Sequence, residues 1–354
     1  MLGLVLISSC ARTDPTLFPV ERDGKWGYID RSGIVVIPAQ FDAAFHFAEG
    51  LARVRRGDTT GFIDRHGTVI FTAPYEVVGD FSEGLAVVSN GERRDPHIGL
   101  VIEPGHWGYV DHAGHLVLLL RFSHADAFSE GLAAVQTASW SGFIDRQGDS
   151  VFAFPFQVSW GFHQGRALVR SPEGTVFLDR SGRILSAPAI DDYQAHSFTE
   201  GLAAVSVRGQ WGYIDTSGAV RIAPRYLDGV EFSEGLAAVK DTIDPRRQQR
   251  CVLPGDSLSS YVATLGYGFI DHTGRILIPP QYESAGPFHD GVAAVATCGR
   301  TSYITAAGDT IFRTDFGTGA PFSHGLALLL DGGPGGRVRW VDRTGKAVWQ
   351  SPVP

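Results

Sequence analysis

Three shortages frame the sequence. Lysine occurs only at Lys25, Lys240 and Lys346, so arginine supplies nearly all of the 30 basic residues. Met1 is the single methionine, and cysteine stands only at Cys10, Cys251 and Cys298, too few for a disulfide-built scaffold. No apolar run of about 18 residues follows the first ten, so no helix is expected to cross a membrane there. Nor does any segment keep a helical 3.6-residue period for three turns. Phosphate-loop, nucleophile-elbow, HExxH and dinucleotide fingerprints are absent, so the sequence offers no catalytic residues and calls for no cofactor. A net charge of −8 gives no reason to expect nucleic acid as a partner.

Glycine, by contrast, is abundant. There are 44 in 354 residues, against an average usage of about 7%. No Gly-x-y period runs through them, which excludes collagen. The excess points to many tight turns between short strands.

The glycines mark a repeat. WGYIDRSG (26–33) recurs as GFIDRHG (61–67), WGYVDHAG (107–114), GFIDRQG (142–148), FLDRSG (177–182), WGYIDTSG (211–218), GFIDHTG (268–274), YITAAG (303–308) and WVDRTG (340–345). FAEGLA (47–52) is a second signature, with its glycine at positions 50, 84, 131, 165, 201, 235, 291 and 325. Those positions are spaced 34, 47, 34, 36, 34, 56 and 34 residues apart, so the base period is 34 with insertions of 13, 2 and 22. One motif copied eight and a half times replaces the two or three domains that length alone suggests.

These two signatures resemble the WG (KWG) repeat family of bacterial proteins from Lys25 to about Trp349. That resemblance implies a repeat scaffold and supplies no catalytic residues. At the Trp-Gly position tryptophan stands only in heads one, three and six.

Each unit contains three strand candidates: the run after EGL, the head, and the aliphatic run after the head glycine. Between the last two, Asp-x-x-Gly reads as a turn, with Asp accepting backbone N–H groups and Gly at positive φ. The eight aspartates are therefore turn residues rather than a metal or acid–base row. An aromatic two residues before the turn and an aliphatic next to it put apolar groups on both faces of the strand, which requires stacked or wrapped sheets. A phenylalanine three residues before every EGL glycine anchors the connection between units. The expected fold is all-β, an array of three-stranded antiparallel units. An open, twisted β-superhelix is preferred because the N-terminal half-unit looks surplus, and a closed propeller-like ring is the alternative.

The amino terminus, MLGLVLISSC, resembles a bacterial lipobox, which implies lipidation at Cys10. Residues 1–10 are then a signal-like segment, 11–24 a tether and 25–354 the repeat domain. The expected location is extracytoplasmic and lipid-anchored, in the outer membrane or periplasm, with the anchor as the only membrane contact.

Insertions near 91–104 and 241–262 both fall between the EGL strand and the head, as does the glycine-rich 331–336. Insertions on one side of a repeat array often mark its binding side. Arg55, Arg56, Arg93, Arg94, Arg246, Arg247 and Arg250 lie along that edge as a positive stripe. Cys251 and Cys298 lie on it in adjacent units, either as a disulfide or as two buried thiols. His106, His112 and His115 cluster around the third head, where turn exposure is favoured over metal binding. The expected role is a non-enzymatic scaffold for a protein or an envelope polymer. The alternative is a carbohydrate-binding module that stacks sugars on Trp140 and Trp160.

Overall fold

A computed structural model describes residues 16–94, 101–103, 105–156, 158–172, 174–185, 187–191, 194–248, 250–253, 256–314, 318–330 and 338–351. Cys10, the signal-like segment and all of 331–336 lie outside the described residues.

Nine small antiparallel sheets follow one another along the chain, over 18–41, 43–73, 77–122, 124–153, 158–179, 202–226, 228–282, 284–314 and 318–350. We call them blades 1 to 9. Blade 2 shows the full pattern, a meander of Ala43–Ala48, Leu51–Arg56, Thr59–Ile63 and Val69–Ala73. The unit thus has four strands rather than three. The extra first strand occupies part of the stretch expected to be a connection. It is easily overlooked because a register shift between Ala44 and Phe47 breaks its alternation, and in blades 4, 7, 8 and 9 it is only two residues long.

Two tight turns repeat at one end of every complete unit. In the EGL corner, Glu49 and Gly50 both have positive φ (52° and 85°), the geometry of a two-residue hairpin whose twist matches its strands. In the Asp-x-x-Gly turn, Asp30 Oδ1 accepts from the N–H groups of Ser32 (2.9 Å) and Ile34 (3.0 Å), and Gly33 has φ 86°. Desolvation works against the Asp30 carboxylate, but the Ser32 hydroxyl and the backbone N–H groups outweigh it and hold its pKa below the usual value.

One aromatic pair joins each blade to the next. The head aromatic packs on the corner phenylalanine of the following blade, as in Tyr28–Phe47 (5.1 Å between centroids), Tyr109–Phe128 (4.9 Å), Tyr213–Phe232 (5.0 Å) and Phe269–Phe288 (4.9 Å). Where the head carries tyrosine, its hydroxyl also donates to the next blade in or just after its first strand, Tyr28 to Phe45 O at 2.8 Å and Tyr213 to Val230 O at 2.8 Å. These rings are almost fully buried except Phe47, which is half-buried.

The same joint closes the array. Trp340, the head aromatic of blade 9, packs on Phe18 of blade 1 with centroids 5.0 Å apart, and its Nε1 donates to Pro19 O at 3.2 Å. Phe18, Val20 and Ile29 share a buried cluster with Leu326 and Trp340. The fold is therefore a closed nine-bladed β-propeller, and the open superhelix is corrected. The half-unit looked surplus because its second strand, Phe18–Arg22, falls in the stretch assigned to the tether and carries no EGL signature. It pairs in full register with Lys25–Ile29.

Every strand reversal sends the chain to the opposite side of the ring. The EGL corners and Asp turns share one side. The hairpins between second and third strands share the other with the links between blades, so the inserted hairpins Arg93–Arg94/Val101–Glu103 and Arg250–Leu253/Asp256–Val262 project together.

Candidate functional site

On the corner side, each acid reaches forward. Glu83 Oε2 accepts from Gly131 N of the next blade at 2.8 Å and from Arg146 of that blade's Asp turn at 3.0 Å. Glu130 repeats this with Gly165 N (2.8 Å) and Arg180 (3.5 Å), Glu200 with Gly235 N (3.0 Å) and His272 (3.1 Å), and Asp290 with Gly325 N (2.6 Å) and Arg343 (3.5 Å). Where the acid is Gln164, the partner turn carries the neutral Thr216. His112 belongs to this set: its Nε2 lies 3.2 Å from Glu49 and its ring stacks on Phe81. These charges are committed to holding blades together and are not free for ligands.

The opposite side is where the repeat rule breaks. In every second strand the residue paired with the head aromatic is apolar (Pro19, Val87, Ala134, Leu168, Ala204, Ala238, Ala294 and Leu328), except in blade 2, where Arg53 faces Phe62. The Arg53 guanidinium lies 3.8 Å from the Phe45 ring centroid, and its Nε is 3.1 Å from Asp80 of blade 3. Arg53 is half-buried and its charge is met by Asp80 and the Phe45 ring, so blade 2 alone puts a charge where its siblings pack an apolar side chain. A cleft of about 790 Å³ opens there. Besides Arg53 it is lined by Arg55, Asp58, Thr60, Tyr75 and Glu76. The cleft thus offers hydroxyls, both signs of charge and an aromatic floor, and is large enough for a small ligand or a peptide segment.

Of the arginines read as a stripe whose side chains are described, only Arg55 reaches this cleft. Arg56 donates to Gln40 at 2.9 Å and lies over Phe41. Arg246 pairs with Asp244 at 2.8 Å in the short 3₁₀ turn Pro245–Arg247, which exposes Arg247. Arg93, Arg94 and Arg250 sit on the inserted hairpins, and their side chains lie outside the described residues. Trp140 is half-buried against the blade 4 core, whereas Trp160 is exposed on the first strand of blade 5, so the two form no row. Sequence reasoning passed over Arg53, Tyr75 and Glu76. Arg53 was visible as the single charge in a column of apolar residues, once the units are aligned on their EGL glycines.

Cys251 and Cys298 are joined by a disulfide with Cα atoms 5.0 Å apart, fastening the blade 7 insertion to the hairpin of blade 8. With Glu283 they are the only group of three potential metal donors within 4.8 Å among the described residues, and the two sulfurs are bonded to each other.

A circular, corner-latched array of Trp-Gly heads defines a repeat propeller. Residues 26–59, 61–93, 107–138, 177–211, 211–241 and 267–297 match the WG containing repeat, and the chain belongs to that family. No curated protein matches it. Among solved structures, a crystal structure of the eukaryotic initiation factor shares the fold with TM-score 0.66 and 12% identity, over 95% of this chain and 96% of that one. Dihydro-heme d1 dehydrogenase NirN matches over 96% of this chain and 73% of its own at 15% identity, with TM-score 0.44. Hsv2p of Kluyveromyces lactis matches over 73% and 89% at 8% identity, with TM-score 0.38.

Proposed function

We propose that this propeller is a non-enzymatic binding scaffold of the cell envelope, tethered through a lipid on Cys10, which captures a partner protein on its insertion side. The observation that carries the reading is Arg53. A structural joint has given up an apolar residue for a charge, and a cleft opens at that point on the side bearing both inserted hairpins. Several weak contacts, from the cleft and the two hairpins, would add through their fixed spacing on a rigid ring. The sugar-stacking alternative draws little support from Trp140, which is half-buried, and Trp160 alone is exposed.

Affinity capture from envelope extract tests this with three baits: the native chain, Arg53→Ala/Arg55→Ala, and a chain lacking 241–262. The expected outcome is a partner retained by the native chain and lost from one or both variants, with their far-UV circular dichroism unchanged. Equal recovery on all three baits rejects the binding side. Radiolabelled palmitate entering the native chain but not Cys10→Ala tests the anchor separately.

A further inference from the structure

Tryptophan at the Trp-Gly position comes with two companions. Trp26 pairs across the sheet with Phe41, Trp107 with Phe122 and Trp211 with Tyr226. In the first strand of the following blade a small residue stands opposite a valine of the second strand, Ala44, Ala125 and Gly229 in turn. The indole and its cross-strand ring fill the insertion-side end of the joint, where all three indoles are half-buried.

The joint between blades 2 and 3 departs at all three positions. Thr60 replaces the tryptophan, Ala73 replaces its ring partner, and Val78, opposite Val88, replaces the small residue. Two rings are lost and one valine is gained, and the cleft of about 790 Å³ opens at that point with Thr60 and Ala73 in its wall. Blade 8 repeats the effect: Thr301 pairs with Thr314, and Thr301 lines a cavity of about 220 Å³. The cleft is not a place vacated by missing chain, because all four strands of blades 2 and 3 and the link 74–76 are within the described residues.

The siblings specify what fits, and Arg55 adds a charge. Ala43, Arg55, Thr60 and Ala73 are cross-strand partners in one row, so their side chains share a face of the sheet. A ring seated over Thr60 and Ala73, where the siblings seat their own, therefore has Arg55 on the adjacent strand, about 5 Å away between Cβ atoms. Arg53 is engaged by Asp80 and Phe45, but Arg55 is exposed and pairs with no carboxylate among the described residues. Its neighbour Asp42 is taken by Lys25 Nζ (2.6 Å) and Gly57 N (2.6 Å), and Glu76 lies against Gly91. A free guanidinium beside an apolar seat suits a ring that carries an anion next to it.

We propose that the cleft takes an aromatic side chain of the partner protein, seated where the missing tryptophan would lie, with an adjacent carboxylate of that partner on Arg55. This rests on the binding-side reading above and names what that side recognises. The ring supplies burial and the carboxylate supplies selectivity.

The full chain is titrated with acetyl-Gly-Trp-Asp-Gly-amide by saturation-transfer NMR, beside probes with Ala for Trp or Asn for Asp. The Trp-Asp probe is expected to bind saturably, with the largest transfer on its indole protons. Loss of the ring should weaken binding about ten-fold or more, and loss of the charge by up to about five-fold. Thr60→Trp/Ala73→Phe/Val78→Ala gives this joint the set found at Trp107, Phe122 and Ala125, and should weaken the Trp-Asp probe at least ten-fold while far-UV circular dichroism stays native. Arg55→Glu, an exposed change that leaves the joint intact, should make the Asn probe bind better than the Asp probe, and it decides the matter if the triple variant does not fold. No saturable binding, equal binding of the Ala probe, or undiminished binding to the folded triple variant overturns the proposal. A partner captured by the native bait but not displaced by saturating Trp-Asp probe leaves the binding side standing and overturns the aromatic occupant. Probe binding with no partner captured assigns the pocket to a free aromatic acid and rejects a partner protein.

Discussion

Substituting Gly33 tests whether the ring closes through the contact described. Gly33 ends the first Asp turn at φ 86°, and a Cβ built there would lie 2.1 Å from Val348 O of blade 9. Gly24 is a matched control: φ is 74°, it lies in the same blade, and nothing is within 4 Å of a Cβ at that position. Placing alanine at positive φ costs about 1–2 kcal/mol at either site. Forcing an extra carbon into a packed contact adds about 1–3 kcal/mol, toward the upper end here because the obstacle is backbone, which cannot rotate away. Gly24→Ala should therefore lose about 1–2 kcal/mol and Gly33→Ala about 2–5 kcal/mol. Urea denaturation gives the difference, and hydrogen exchange in Lys25–Ile29 and Val338–Asp342 shows where it falls. In an open array Gly33 has no preceding blade and would behave like Gly24. Agreement between the two variants within about 0.5 kcal/mol, the usual error of such comparisons, refutes closure through this joint.

Two further outcomes follow from the joints and the turns. Glu83→Ala should destabilise by about 1–2 kcal/mol, the range for a charged hydrogen bond reduced for the exposure of Arg146, while Glu83→Gln should cost about 0.5 kcal/mol because an amide oxygen can still accept from Gly131 N, as Gln164 does from Gly201 N. Burial opposes the Glu83 charge, but Arg146 and the Gly131 N–H together lower its pKa, so its stabilisation is present above the ordinary value of 4.5 and is lost as pH falls through the lowered one. An acid-unfolding curve that Glu83→Ala leaves unchanged contradicts this. His124 is shifted the other way: its 2.9 Å hydrogen bond to Asp126, opposed by desolvation, raises its pKa above 6.5. That stabilisation is complete below 6.5 and disappears as pH rises through the raised value, and NMR titration of the His124 ring should show its pKa falling in Asp126→Asn.

The heads and corners carried most of the fold in plain sight. Asp-x-x-Gly gave the turns, the recurrent phenylalanine gave the joint, and the position of the insertions gave the side of the ring from which they project. Closure stayed hidden because blade 1 solves the joint differently. Leu17-Phe18-Pro19 stands where Leu51-Ala52-Arg53 stands in blade 2, so a bulky ring in the second strand substitutes for one in the corner, and no signature survives to be counted. First strands were missed for another reason: many reduce to two bridged residues, too short to show a period. The cleft was the least legible feature. Arg53 and Tyr75 are ordinary surface residues in a single sequence and become informative only when sibling blades are superposed.

The forward-reaching acids give the ring a direction. Each unit carries one half of a joint in its corner and the complementary half in its Asp turn, so a tandem duplicate arrives already compatible with the copies on either side. Addition or loss of a blade then requires no new interface, only a ring of different circumference. Gln164 keeps the acceptor without the charge, whereas where the ends meet His324 stands in the acid's place and Arg31 lies against Gly325. Neither side chain offers a carboxylate, so among the described residues the acid latch is missing at that corner. Blade 9 is held to blade 1 by the Trp340 joint instead, which makes that seam the one place where an exchanged blade would not find the usual corner partner.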